Sequence, residues 1–499
     1  MKKKIFLSII AISLLVACKK ELNQIPISAA TSSAFYVNTN EFNQGVNAIY
    51  GSLRAYPNRL INLSETRSDN LYAVLVGWAR DWDGINCFQK TISNNPYISE
   101  AWAKNFTGIY QANVLLDQLQ KNGSYISSPL LKTRFEAESK FLRAFYYFDL
   151  VRWFGKLPLV DHPITAAEAL TIPRSPVSDI YDLIISDLKF ACDNLPDVYT
   201  STDKGRATKY AAKGILALVY MTRSGPTYGI EGPGLGLSEW GLALPLLNDI
   251  IGSLKYTFLP SYNDIFSYTN ENNTEVIFDI QYIAGANPIL GSSFIPLLVP
   301  DSYFQSLGKV VAGSTNIRPV AIDLLNSYES GDTRKAFSIF STGYVYNGEP
   351  ENRSFFIKYL DKTKIPLNFS DWPINFIVMR YTDILMLKAE CILHGSTGTQ
   401  AEVDAIVNKV RLRGGLLTPK VNITLPQLME ERRKEFAAEG LRWHDLVRSG
   451  LVETVIPAWI ATEDVQKQIQ PFQKNYVIYP IPLSELDVKQ GLYTQNEGY

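Results

Sequence analysis

Apolar residues recur with a helical period over much of the chain. In 137–154, Phe141, Ala144, Phe145, Phe148 and Val151 fall at i, i+3, i+4, i+7 and i+10, one face of a helix. Gly155 and then Pro158 follow, as expected past a helix C-terminus. Ser175-Pro176 reads as an N-cap with Pro at the first helical position, and Val177, Ile180, Ile184, Leu188 and Ala191 share the next apolar face. Thr208 is placed to cap a third helix rich in small residues (Ala211, Ala212, Gly214, Ala217), which permit close helix–helix approach. The period returns at 379–393, 401–413 and 425–438.

Between these blocks the pattern breaks. Residues 225–310 are dominated by Pro, Gly, Tyr and Asn, with short apolar runs at 276–283 (VIFDIQYI) and 294–300 (FIPLLVP), so loops with a few short strands are predicted. Glycine-rich 229–236 (GIEGPGLG) lacks the Lys-Ser/Thr of a phosphate loop and reads as plain loop. The predicted fold is mostly α: tetratricopeptide-like helix pairs, without a strict 34-residue period, carrying a long irregular, loop-rich insertion with a few short strands.

The N-terminus has its own pattern. Lys2, Lys3 and Lys4 precede an apolar run from Ile5 to Val16, too short for a membrane span of ~20 residues, and Ala17 precedes Cys18. Leu15-Val16-Ala17-Cys18 resembles the bacterial lipobox, so 1–17 is predicted to be a lipoprotein signal peptide, with Cys18 acylated and 18–40 a tether. Acyl chains contribute ~0.8 kcal/mol per buried methylene, enough in combination for stable membrane anchorage. Residues 41–499 then form one domain containing the 225–310 insertion.

Composition narrows the function. Of 499 residues 46% are hydrophobic and 12% aromatic, which excludes a largely disordered chain. The formal net charge of -1 gives no electrostatic case for nucleic acid. Three His and four Cys are too few for a rich metal site or a disulfide scaffold, and neither metal nor cofactor is expected.

The helices also carry recognisable blocks: AESKFLRAFYYFDLVRWFGKLPLV (137–160), GRATKYAAKGILALVYM (205–221), RYTDILMLKAE (380–390), VNKVRLRGG (407–415), ERRKEFAAEGLRWHDLVRSG (431–450) and the terminal QNEGY (495–499). In order and spacing they resemble the signature blocks of the SusD/RagB family from about Ala48 to Tyr499. The resemblance implies an outer-membrane, surface-facing lipoprotein that binds a glycan or similar nutrient and delivers it to a SusC-like TonB-dependent transporter. Residues 19–24 (KKELNQ) only loosely resemble the family's acidic export signal, so surface exposure is implied by the family rather than by these residues.

Conspicuous charges within the blocks read as scaffold. Arg143, Asp149, Arg380, Asp383, Glu390 and Arg411 punctuate apolar faces, where buried charges need partners. His444 beside Asp445 is not a dyad, because helix neighbours do not face each other. Ligand chemistry is sought in the loops, since sugars offer apolar C–H faces and a rim of hydroxyls that call for aromatic platforms flanked by polar groups. Residues 77–88 (GWARDWDGINCF) supply Trp78, Arg80, Trp82, Asp83 and Asn86, although the i, i+4 tryptophans also fit one face of a helix. Tyr282 and Tyr303 in or near the insertion and Trp372 in 369–376 (FSDWPINF) are further candidates. Asp81 and Asp83 lack the ordered oxygen series of a Ca²⁺ loop. Two rival functions are a helix-repeat scaffold with no small-ligand site and a helical glycoside hydrolase, which needs two carboxyls ~5–9.5 Å apart across a cleft.

Overall fold

The helical periods become a succession of packed helices. A computed structural model of the chain describes residues 35–74, 80–309 and 317–499. Its longer elements are α1 (Thr39–Gly51), α2 (Pro96–Asn122), α3 (Pro129–Phe154), α4 (Val177–Asn194), α5 (Lys209–Ser224), α6 (Trp240–Gly252), β1 (Val276–Ile280), β2 (Phe376–Arg380), α7 (Tyr381–Leu393), α8 (Gln400–Arg413), α9 (Leu425–Glu435) and α10 (Arg442–Ser449). Each of α2 to α7 packs on the next, and α7 packs on α8. This is the mostly helical, tetratricopeptide-like stack the periodicity predicts.

Local chemistry sets the ends of these helices. Ser128 caps α3 by accepting from the Leu131 N–H, and Pro129 occupies its first turn. Gly155 ends α3 at φ 68°, where a Cβ would lie 1.9 Å from the Glu231 carbonyl oxygen. Thr208 caps α5 as expected. Gly214 in α5 lets Met379 pack against the bare backbone, since a Cβ there would sit 2.3 Å from the Met379 sulfur.

Five expectations need correction. Helix α3 is buried on all sides from Phe141 to Phe154, not on one face, because α2, α4 and β1 surround it. Ser175 belongs to a two-residue strand, and Pro176 takes the N-cap position of α4 without a side-chain cap. The insertion contains a 13-residue helix, α6, whose apolar run tolerates the internal Pro245. Its run 294–300 forms a helical turn at Ile295–Leu298, while 276–283 gives the expected strand β1. This strand pairs antiparallel with β2, Val276 opposite Arg380 and Ile280 opposite Phe376, so residues 376–380 are strand and the helix begins only at Tyr381.

The charges that punctuate the apolar faces are buried ion pairs. Arg143 grips Asp187 with Nε and Nη2 at 2.7 and 2.9 Å, tying α3 to α4, and Arg59 meets Asp149 at 3.0 Å. Arg432 bridges Asp383 and Asp445, Arg448 holds Glu390, and Arg411 joins Glu329 to Glu431. Arg380 has three carboxylate partners: Glu275, Glu435 and Glu439. Residues 64–70 are buried as well. Burial would raise the Asp69 carboxyl, yet Arg433 and Arg442 together carry it down to about 2. His444 packs its ring 4.2 Å from that of Trp153, and burial drives its pKa well below the usual imidazole value, so it is an uncharged core residue.

Candidate ligand-binding site

The segment that looked richest in ligand chemistry folds around one helical turn, Asp83–Asn86. The Arg80 N–H donates to Asp83 Oδ2 at 2.6 Å, and Asn95 Nδ2 donates to the Asp81 carbonyl at 2.6 Å. Asn86 accepts from the Ala73 N–H and donates to the Thr66 and Leu71 carbonyls. Its amide is therefore fully engaged by backbone, and Asn86 orients the segment instead of facing a ligand. Asp83 is buried, which pushes its carboxyl up, and its part is likewise to hold the turn.

Trp82 is not an open platform, since only 7% of it is exposed. The Arg318 guanidinium lies 4.4 Å from the centre of its ring and 6.0 Å from that of Tyr97. Arg318 Nη1 donates to Asn62 Oδ1 at 2.8 Å and Thr66 Oγ1 at 3.1 Å, while Nη2 has no hydrogen-bond partner among the described residues. Burial lowers this guanidinium to about 10, against the opposing pull of Tyr97, Asp81 and Asp83. Above this base the reachable groups are half-buried Arg80, exposed Asp81 and half-buried Tyr97. Pro96 starts α2 and Asn95 caps it, fixing Tyr97 at the rim.

The remaining candidates are dispersed. Trp78 and Cys18 lie outside the described residues. Tyr303 is 2% exposed within a cluster of Phe340, Tyr344 and Phe355, all with ring centres 4.9–5.2 Å away. Trp372 is fully buried against Phe304, and the strand-like pairing of its backbone with Ser292 holds it there. Neither offers a ring face to a ligand; both are core positions under loops. Tyr282 is half-buried and lines a separate cleft of about 580 Å³, with its hydroxyl donating to the Arg54 carbonyl at 2.8 Å.

Sequence reasoning missed Tyr97 and Arg318. Tyr97 sits in a Pro-initiated helix start, which reads as a purely structural signal. Arg318 is one cation in an otherwise plain stretch, and only tertiary structure brings it to Trp82.

Comparison with known proteins matches this architecture. A SusD-like family model described as starch-binding, associating with the outer membrane, matches residues 29–221, and a SusD family model matches 326–499. A SusD-like protein of Bacteroides ovatus is 27% identical, with 90% of this chain and 82% of the relative aligned. Among solved structures, surface glycan-binding protein A from Bacteroides fluxus superposes with a TM-score of 0.78 at 23% identity, covering 93% of this chain and all of that one. A laminarin-binding SusD-like protein superposes with a TM-score of 0.75 at 26% identity, with the same coverage.

Proposed function

The chain belongs to the SusD/RagB family, and from that premise we propose that it is a non-catalytic outer-membrane lipoprotein that captures a glycan and passes it to a SusC-like TonB-dependent transporter. The glycan docks on the face formed by Arg80, Asp81 and Tyr97 over the Trp82–Arg318 base. The observation that carries this reading is the state of Arg318. A buried guanidinium with no salt bridge among the described residues is costly, and a ligand that covers the face above it and brings polar acceptors towards it offsets that cost.

Tyr97 supplies the aromatic surface for a sugar's C–H face. Arg80 and Asp81 supply a donor and an acceptor for hydroxyls. No proton transfer or nucleophile is required, which agrees with relatives named for binding. Acylated Cys18 anchors the protein, and no helix among the described residues is long and apolar enough to cross a membrane.

Calorimetric titration with laminari- and malto-oligosaccharides, followed by analysis of each mixture for cleavage, tests the binding role. Saturable binding without product, weakened in Tyr97→Ala, is expected. Product formation, or binding indifferent to both Tyr97→Ala and Asp81→Ala, overturns it. Cys18→Ser should release the protein from the membrane fraction, and affinity capture of the intact protein should retain the transporter.

A further inference from the structure

The cleft beside Tyr282 is chemically distinct from the Tyr97 face. It lies between the end of α1 with its following turn (Asn47, Tyr50, Arg54), the 202–206 turn and the exit of β1 (Asp279–Tyr282). Its volume of about 580 Å³ falls within the ~300–1,000 Å³ of small-molecule sites. Arg54 lies in a continuous helical run that reaches Asn62, the anchor of Arg318, eight residues on and roughly 12 Å along the backbone at 1.5 Å per residue.

Three cations line the cleft, and they differ in what they have to bind. Arg206 is committed: it contacts Glu138 at 2.9 Å and Asp203 at 2.8 Å, and donates to Asn43 and Asn47. Arg54 donates Nη2 to the Ile289 carbonyl at 3.0 Å and has no salt bridge among the described residues; its Nε is buried without a partner. Lys204 is exposed and also has no salt bridge among the described residues. The one carboxyl in the lining, Asp279, accepts from the Gln281 and Asn375 amides at 2.5 and 3.2 Å, and burial pushes it up to about 7. It therefore cancels little of the positive charge in mildly acid solution.

We propose that this cleft is a second ligand site, taking a sugar acid: a pyranose whose carboxylate meets Lys204 and Arg54 while its ring lies along Tyr282. The Asn47 side chain, whose Oδ1 accepts from Arg206, supplies its Nδ2 for a hydroxyl, and the Tyr282 hydroxyl, bonded to the Arg54 carbonyl, holds ring and cation together. A neutral sugar would bring no counter-charge to the Arg54 guanidinium and the Lys204 ammonium, so charge sets the preference. The site stands apart from the glycan face and does not depend on it.

The test is calorimetric titration of the detergent-solubilised full chain with digalacturonate, its dimethyl ester and sodium sulfate. Digalacturonate should saturate the cleft, and the uncharged ester should bind about tenfold or more weakly, the scale of one charge-assisted contact. Lys204→Ala should weaken digalacturonate by a similar factor without changing the unfolding temperature, since the side chain is exposed and has no salt bridge among the described residues. Tyr97→Ala should leave it unchanged. Equal binding of acid and ester, no binding of either, or indifference to Lys204→Ala overturns the proposal. So does loss of digalacturonate binding in Tyr97→Ala, which would place it on the other face, or full competition by equimolar sulfate, which would mark a simple anion site.

Discussion

Arg318 lies with its guanidinium 4.4 Å from the centre of the Trp82 ring, joining two segments 236 positions apart in the sequence. The contact makes Trp82 a support and leaves Tyr97 as the aromatic surface within reach of a ligand. Substituting the two should therefore have opposite signatures. Trp82→Ala removes a buried indole and should cost about 3–5 kcal/mol of stability. Tyr97→Ala should change stability much less and weaken glycan binding by about tenfold, the loss of one ring platform. Urea unfolding and titration on both variants check this; a stable Trp82→Ala that loses only ligand would return Trp82 to the surface.

Trp372 makes a related case for the core. It is fully buried, and its backbone exchanges hydrogen bonds with Ser292 at 2.9 and 3.1 Å. Trp372→Ala should destabilise by about 3–5 kcal/mol, while the folded fraction keeps its glycan affinity. Affinity per folded molecule, measured beside the urea midpoint, decides. A selective loss of affinity at unchanged midpoint would contradict the core assignment.

Much of the fold is legible in the chain because helices repeat their burial every 3.6 residues, and the charges that interrupt those faces must be paired. Arg143, Arg380 and Arg411 all find carboxylates for that reason. The site is less legible. An aromatic in a loop gives no sign of which side it presents, so Tyr303 and Trp372 resemble candidates and prove to be core. Helix α6 escapes notice because Gly and Pro flank and interrupt its apolar run. Arg318 carries no local signal at all; its meaning comes from burial beside Trp82 and from the atom it leaves unbonded.

Glu435 is the hub of a buried network. Its carboxylate receives Arg413 at 2.5 Å, Arg380 at 2.8 Å and Arg334 at 3.2 Å, binding α9 to α8 and β2. Neutralising it leaves three guanidiniums sharing too little negative charge in the interior. Glu435→Gln should cost about 3–5 kcal/mol, the scale for breaking a buried pair by one partner. Urea unfolding measures it; a change within experimental scatter would show that the neighbouring carboxylates Glu275, Glu431 and Glu439 suffice.

Two buried carboxyls should give pH dependences of opposite sign. Asp69, carried down to about 2 by Arg433 and Arg442 against its burial, stabilises the fold above the ordinary carboxylate range and loses that contribution as pH falls through 4 towards 2. Asp279 is pushed up to about 7 by burial, so the folded state binds the extra proton between about pH 4 and 7. Its contribution is greatest at the acid end of that window and declines as pH rises, and above 7 the cost of a buried charge remains. Asp279→Asn cannot ionise, and the neighbouring Gln281 and Asn375 amides can turn to accept from it. The stability of Asp279→Asn relative to the unsubstituted protein should therefore rise by a few kcal/mol from pH 4.5 to 7.5. Urea midpoints at pH 4.5, 6 and 7.5 read this directly, and parallel profiles would show that Asp279 is ionised throughout that range.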